Sequence, residues 1–314
     1  MHRSLLVLLA TLVLDPVAVK GQSVDALLSA GDSLMVLERY GKAIDRFDQA
    51  VALEASARTF SARAKAYYAV DRLDQFMVDV EQALRADSTY PEANYHRALY
   101  AFRGEDLPGT IRYATRGLGG SPDPKLQARL HLLRGEAKAE LNDHAGAIDD
   151  LEQGARELPG DLEASKTQAR CYDAIGDHEN ALTVLERLCE IEPDNVGNWS
   201  NRGFELAELG RYDEALTIIG TALDIDKDEP VALSNRAYIL MKLGREDEAM
   251  KDVDRSLRYY PSNAFALRTR ALLRLRKGDR EKACSDLSLA RILGGVDDVD
   301  GLIQEHCGSL KKKR

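Results

Sequence analysis

The sequence repeats itself with a period of 34 residues, and this repetition constrains the fold more than any other feature. Residues 210–216 read GRYDEAL, and 34 residues later residues 244–250 read GREDEAM. A unit of this length cannot bury its own apolar face, so neighbouring units must stack. Extending the register predicts eight units, at about residues 24–56, 57–90, 91–127, 128–161, 162–195, 196–229, 230–263 and 264–297.

Small residues occupy the eighth position of every unit. The twentieth position is alanine in six of the eight units, and a large apolar residue such as Ile219 or Leu287 follows four residues later on the same helical face. A small side chain lets two helices approach closely, and the large one fills the space between them. The eight small residues are Gly31, Ala64, Ala98, Gly135, Ala169, Gly203, Ala237 and Ala271.

Glycines mark the middle of the last four units. Gly176, Gly210, Gly244 and Gly278 stand where a helix must end in a left-handed residue before the chain reverses. Each unit is therefore predicted to contain two helices joined by a tight turn.

These residues resemble the tetratricopeptide repeat, whose pattern places tryptophan, leucine-glycine, tyrosine, alanine, phenylalanine and proline at set spacing over 34 residues. The resemblance implies an all-α fold, a right-handed α-solenoid of about eight helix-turn-helix repeats over residues 24–297. The amphipathic segment 298–307 is then predicted to be a C-terminal capping helix, followed by a basic tail at 308–314. The residues that carry the closest match are Trp199, Gly203, Leu206, Ala215, Ile219 and Ala222.

In the tetratricopeptide repeat family the first helix of each unit lines a concave groove, and the resemblance implies the same arrangement here. The expected partner is a protein or peptide, and self-association through the groove or an end unit is an alternative use of these surfaces. The family's carboxylate clamp is only partly matched, by Lys166 and Asn201, so the resemblance implies internal or acidic segments as ligands rather than a free C-terminus. Lys242, Arg268 and Arg276 would supply the positive charge. The groove positions, read onto this sequence, give Asn201, Phe204, Asn235, Tyr238, Lys242, Phe265, Arg268 and Arg276 as partner-binding residues.

Residues 1–21 have the pattern of a secretory signal peptide. Their apolar run from Leu5 to Leu14 is about half of the ~20 residues needed to cross a bilayer as a helix, and small residues allow cleavage after Gly21 or Ala18. An uncleaved anchor is the alternative. Since no second apolar stretch follows, we expect a secreted or periplasmic protein without a transmembrane span.

The predicted mature chain is acidic. The whole chain has a formal charge of −9. Residues 1–21 carry a net charge of +1, so their removal leaves −10. Binding of nucleic acid requires a Lys/Arg surface, so no nucleic-acid partner is expected. The basic tail would allow only a weak contact with an anionic surface.

The chain has four cysteines, and no two of them show Cys-x-x-Cys spacing, so a zinc or redox motif has no support. In an exported protein four cysteines permit two disulfides in three connectivities. Cys284 opens the second helix of the eighth unit beside the capping helix that carries Cys307, and the ACSDL motif at 283–287 resembles the endings of some exported bacterial repeat proteins. These two are our disulfide candidates, while Cys171 and Cys189 could also pair or remain free buried thiols.

Catalytic motifs are missing from the sequence. It lacks a phosphate-binding Gly-rich loop, a Gly-x-Ser-x-Gly elbow and a His-Glu-x-x-His motif. His144 and His178 occupy equivalent positions in their units, and we interpret them as packing residues. We therefore predict a scaffold with no catalytic residue, no metal and no cofactor. The alternative is an enzyme, or an accessory subunit of one, that acts on cell-envelope material.

Overall fold

A computed structural model describes residues 23–308 of the protein, and these residues contain 17 α-helices and no β-strand. The predicted all-α fold of helix-turn-helix repeats with a C-terminal capping helix is confirmed. The predicted signal peptide at 1–21 and residues 309–314 of the predicted tail lie outside the described residues. Between residues 23 and 308, no helix combines the length and the apolar character that a membrane span requires.

The helices follow one another in pairs of nearly constant length. In chain order they are α1 Val24–Val36, α2 Tyr40–Leu53, α3 Ala57–Ala69, α4 Leu73–Ala86, α5 Pro91–Arg103, α6 Leu107–Gly119, α7 Pro124–Glu140, α8 His144–Glu157, α9 Leu162–Ala174, α10 His178–Ile191, α11 Val196–Glu208, α12 Tyr212–Ile225, α13 Pro230–Lys242, α14 Glu246–Tyr259, α15 Ala264–Arg276, α16 Arg280–Leu293 and α17 Val299–Cys307.

The described residues form two compact units, one up to Arg97 and the other from Ala98 onward. In the first unit α1 packs on α2 and α3 packs on α4. In the second unit the pairs are α7 with α8, α9 with α10, α11 with α12, α13 with α14 and α15 with α16, and α17 packs on α16. Each pair corresponds to one repeat of the sequence.

The small residue at position eight of a repeat packs against the large residue at position twenty-four. A Cβ added to Gly203 on α11 would lie 2.5 Å from Ile219 Cγ1 on α12. A Cβ on Gly135 would lie 2.9 Å from Leu151 Cγ across the α7–α8 pair. The close approach expected from the sequence is therefore present within these pairs.

The turn between the two helices has a left-handed residue at position fifteen of every repeat. The glycines Gly176, Gly210, Gly244 and Gly278 have φ angles between 74° and 81°. The same position in the first four repeats has φ angles between 55° and 61° and is held by Glu38, Asp71, Glu105 and Asn142. The repeat thus imposes this turn even where a side chain makes it unfavourable by about 1–2 kcal/mol.

A buried ion pair recurs within four repeats and was not anticipated from the sequence. In each case an arginine on the first helix donates two hydrogen bonds of 2.6–2.9 Å to an aspartate sixteen residues later on the second helix. All four aspartates are buried, and the bidentate geometry fixes how the two helices are oriented. The pairs are Arg63–Asp79, Arg134–Asp150, Arg236–Asp252 and Arg270–Asp286.

The structure joins Cys284 to Cys307, whose Cα atoms are 5.7 Å apart, and so ties α17 to α16. Cys171 and Cys189 are separate buried thiols. Each of the three connectivities that the sequence leaves open has two disulfides, and the structure has one bridge of one of them. Chemical labelling is the test of its formation.

The contact at Gly203 leads to the first prediction. Gly203→Ala forces a methyl group against Ile219 and should lower the free energy of unfolding by about 1–3 kcal/mol. Gly220 on α12 is the matched control, since an added Cβ there meets nothing within 4 Å. Gly220→Ala should raise the free energy of unfolding by about 0.5–1 kcal/mol through helix propensity. Urea unfolding of both variants measures the difference, and two changes of the same sign would refute the contact.

Candidate functional site

Three aromatic side chains meet on neighbouring first helices of the second compact unit. Phe204 lies on α11, Tyr238 on α13 and Phe265 on α15. Their ring centroids are 5.5 Å apart for Tyr238–Phe265, 5.6 Å for Phe204–Phe265 and 6.5 Å for Phe204–Tyr238. These separations fall in the range of favourable edge-to-face and tilted pairs. The three residues are called the aromatic patch below.

Two open cavities lie side by side at this patch. One has a volume of about 620 Å³ and is bordered by all three aromatic residues. The other has a volume of about 580 Å³ and is bordered by Phe204 and Asn201. Asp173 and Phe204 border both, so the two cavities are adjacent. Together they are called the groove, and each is large enough for side chains of an incoming segment.

The structure brings together five of the eight predicted partner-binding residues. Asn201, Phe204, Tyr238, Phe265 and Arg268 border the groove. The other three do not border it, and they are Asn235, Lys242 and Arg276.

Asn235 has a structural role. Its side chain is buried, and its amide nitrogen donates to the backbone oxygen of Ser200 at 3.2 Å and to the Ser200 hydroxyl at 3.1 Å. Because Ser200 lies on α11 and Asn235 on α13, these bonds link the first helices of two successive repeats. Asn235 was predicted to bind a partner, but its amide donor is used between repeats.

The predicted positive charges are already engaged. Arg268 donates two hydrogen bonds to Asp298, at 3.0 Å and 2.5 Å. The Lys242 ammonium lies 5.1 Å from the Tyr238 ring centroid, and Arg276 bonds to Glu246 and to the backbone oxygen of Met241. The groove border carries the carboxylates of Glu163, Asp173, Glu205, Glu208, Asp297 and Asp298 but only the cations of Lys166, Arg170 and Arg268, besides His178. The groove border is acidic because its carboxylates outnumber its lysines and arginines, and each of these three cations is paired with an acidic neighbour.

Two acidic side chains and a histidine converge at the junction of the two cavities. His178 Nδ1 lies 2.8 Å from Glu205 Oε2 and 3.8 Å from Asp173 Oδ1. Asp173 stands at the end of α9, His178 opens α10, and Glu205 is in the middle of α11. These three residues are called the acidic triad.

The environment of the acidic triad disfavours negative charge. Burial raises the pKa of Glu205 to about 7, against the opposing hydrogen bond from His178. Burial also raises the pKa of Asp173. Burial and the neighbouring Glu208 carboxylate raise the pKa of the Tyr238 phenol, whose hydroxyl is hydrogen-bonded to Glu208. The groove therefore gathers several acidic groups in a poorly solvated surface.

The acidic triad is not visible as a sequence motif, because its members come from two different repeats. His178 is at position seventeen of the fifth repeat and Glu205 at position ten of the sixth. Only the stacking of one repeat on the next brings these positions together. The signal for the triad is a histidine at position seventeen of one repeat together with a glutamate at position ten of the next.

The repeated helix pairs define an α-helical repeat protein, and an open groove lies on its first helices. Residues 138–201 and 206–273 match the family model of the tetratricopeptide repeat. These two stretches, which make up less than half of the chain, are tetratricopeptide repeats. No curated protein matches the sequence.

Solved structures show the same fold. A tetratricopeptide repeat protein from Parabacteroides merdae ATCC 43184 is 17% identical, with a TM-score of 0.58 over 79% of this chain and 97% of that one. YrrB, described as a TPR protein with an unusual peptide-binding site, is 17% identical, with a TM-score of 0.52 over 60% of this chain and 95% of that one. TTC0263, a thermophilic TPR protein from Thermus thermophilus, is 19% identical, with a TM-score of 0.50 over 57% of this chain and 98% of that one. At these identities the likeness establishes the fold alone.

Proposed function

We propose that this protein is an exported, non-catalytic scaffold that binds an extended segment of a partner protein in the groove. The aromatic patch carries the proposal, because it places three mutually packed rings at the border of an open cavity of about 620 Å³. Aromatic side chains on rigid helices offer a large contact area at low entropic cost, as anchors of binding sites do. The fold shared with YrrB, itself a peptide-binding TPR protein, supports this use.

The charges of the groove suggest a ligand different from the acidic segment expected at first. Arg268 is paired with Asp298, whereas no lysine or arginine between residues 23 and 308 forms an ion pair with Glu208 or with the carboxylates of the acidic triad. A segment that places an apolar side chain on the aromatic patch and a basic side chain beside Glu208 fits both features. The exposed amide of Asn201 can both donate to and accept from the backbone of such a segment.

Export is supported by the apolar run from Leu5 to Leu14 and by the bridge between Cys284 and Cys307, since disulfides persist in oxidising compartments. A scaffold rather than an enzyme is supported by the repeat family and by the lack of a catalytic motif in the sequence.

Peptide selection tests the binding proposal. Random peptides displayed on phage and selected on the full chain should converge on an apolar or aromatic residue next to lysine or arginine. Phe265→Ala should weaken binding of a selected peptide at least about tenfold, because it removes part of the aromatic anchor. Tyr259→Ala is the matched control, since Tyr259 lies on α14 with 52% of its surface exposed and borders neither cavity. Selection of acidic peptides, or equal binding by the two variants, would count against the proposal.

Intact mass spectrometry tests export and the bridge together. Protein purified from its native host should begin at Gln22 or Val19, as cleavage after Gly21 or Ala18 requires. Alkylation in denaturant without reductant should label two cysteines, and prior reduction should raise the number to four, because only Cys284 and Cys307 are bonded. A mass that retains residues 1–18, or four labels without reduction, would contradict export or the bridge respectively.

A further inference from the structure

The donor atoms of the acidic triad are arranged as the ligands of a metal ion are. One imidazole nitrogen and two carboxylate oxygens, from Asp173, His178 and Glu205, all lie within 4.8 Å of one another. Ligand atoms around a tetrahedral Zn²⁺ with bonds near 2.0–2.2 Å are about 3.4 Å apart. The two Nδ1 separations, 2.8 Å to Glu205 and 3.8 Å to Asp173, bracket that value.

Glu205 differs from every other buried carboxylate between residues 23 and 308. The other four are Asp79, Asp150, Asp252 and Asp286, and each receives two hydrogen bonds from the arginine sixteen residues earlier. Glu205 is 3% exposed and has neither an arginine nor a lysine partner. His178, Asp173 and Glu208 contribute most to its electrostatic environment, and Glu163, Lys166 and Arg170 border the same cavity. A buried carboxylate without a permanent countercharge is unfavourable, and a bound cation would supply that charge.

The triad is also accessible. His178 borders the larger cavity, Glu205 borders the smaller one, and Asp173 borders both. An ion held between them would face the groove and keep coordination positions open for solvent or a ligand, whereas structural zinc sites are closed by four protein ligands.

We propose that Asp173, His178 and Glu205 bind one divalent transition-metal ion, of the Zn²⁺ class, at the junction of the two cavities. One imidazole with two carboxylates suits Zn²⁺ and Co²⁺ and offers no thiolate or thioether for Cu⁺. This proposal departs from the prediction, made from the sequence, that His178 is a packing residue and that no metal is bound. The site goes beyond the proposed peptide binding and does not depend on it.

Zinc titration of the full chain tests the proposal. The protein is purified without a histidine tag, stripped with a chelator and titrated with ZnCl₂ by calorimetry. We expect one Zn²⁺ per chain, and Asp173→Asn, His178→Gln and Glu205→Gln should each weaken binding at least about tenfold. Bound Zn²⁺ should raise the melting temperature of the wild type and leave that of His178→Gln unchanged. Circular dichroism verifies that each variant is folded.

His144 provides a matched control, because it opens α8 at the same repeat position at which His178 opens α10. His144→Gln should bind Zn²⁺ as the wild type does. Co²⁺ bound to the wild type should give visible absorption bands of a four- or five-coordinate ion, and His178→Gln should lose them. Failure of the wild type to bind Zn²⁺, or full binding by His178→Gln, overturns the site. No peptide is present in this experiment, so its outcome is independent of the proposed function.

Discussion

The contact between a small residue at position eight and a larger one at position twenty-four sets the distance between the two helices of a repeat. Glycine at position eight stands opposite Phe47, Leu151 and Ile219, and alanine stands opposite Val80, Leu185, Val253 and Leu287, while the third repeat departs with Ala98 and Ala114 at these positions. A core at crystal-like density has no room for a methyl group on the glycines without movement of their partners. Position seven lies beside this contact, and in four repeats its arginine binds the aspartate at position twenty-three.

This spacing within repeats also determines where the groove lies. The first helices of neighbouring repeats contact one another, α11 with α13 and α13 with α15. The bonds from Asn235 to Ser200 hold α11 and α13 in register. The packed helices therefore hold Phe204, Tyr238 and Phe265 in place. Binding of a ligand then loses little conformational entropy in ordering these side chains.

The sequence predicted whatever the period governs: helix pairs, close contacts and turns. It could also have shown the arginine–aspartate pairs, because an arginine at position seven precedes an aspartate at position twenty-three in four units. The sequence did not predict the charge and the free hydrogen-bonding groups of the groove. Arg268 reads as a free positive charge until Asp298, 30 residues away, is seen to bind it, and Asn235 reads as a groove donor until Ser200 is seen to accept from it. Asp298 lies outside the repeat of Arg268, and Ser200 lies outside the repeat of Asn235. The acidic triad likewise combines residues of two repeats.

Hydrogen–deuterium exchange of Ala237→Leu tests most directly the claim that contacts within each repeat position the groove. Ala237 is fully buried on α13, in the same apolar cluster as Val253 on α14. Since stability in repeat arrays couples mainly between neighbours, amide protection should fall in α13 and α14, fall less in α11 and α15, and stay unchanged in α7 and α8. An unchanged α13–α14 pair, or an equal loss of protection in all of these helices, would contradict the account.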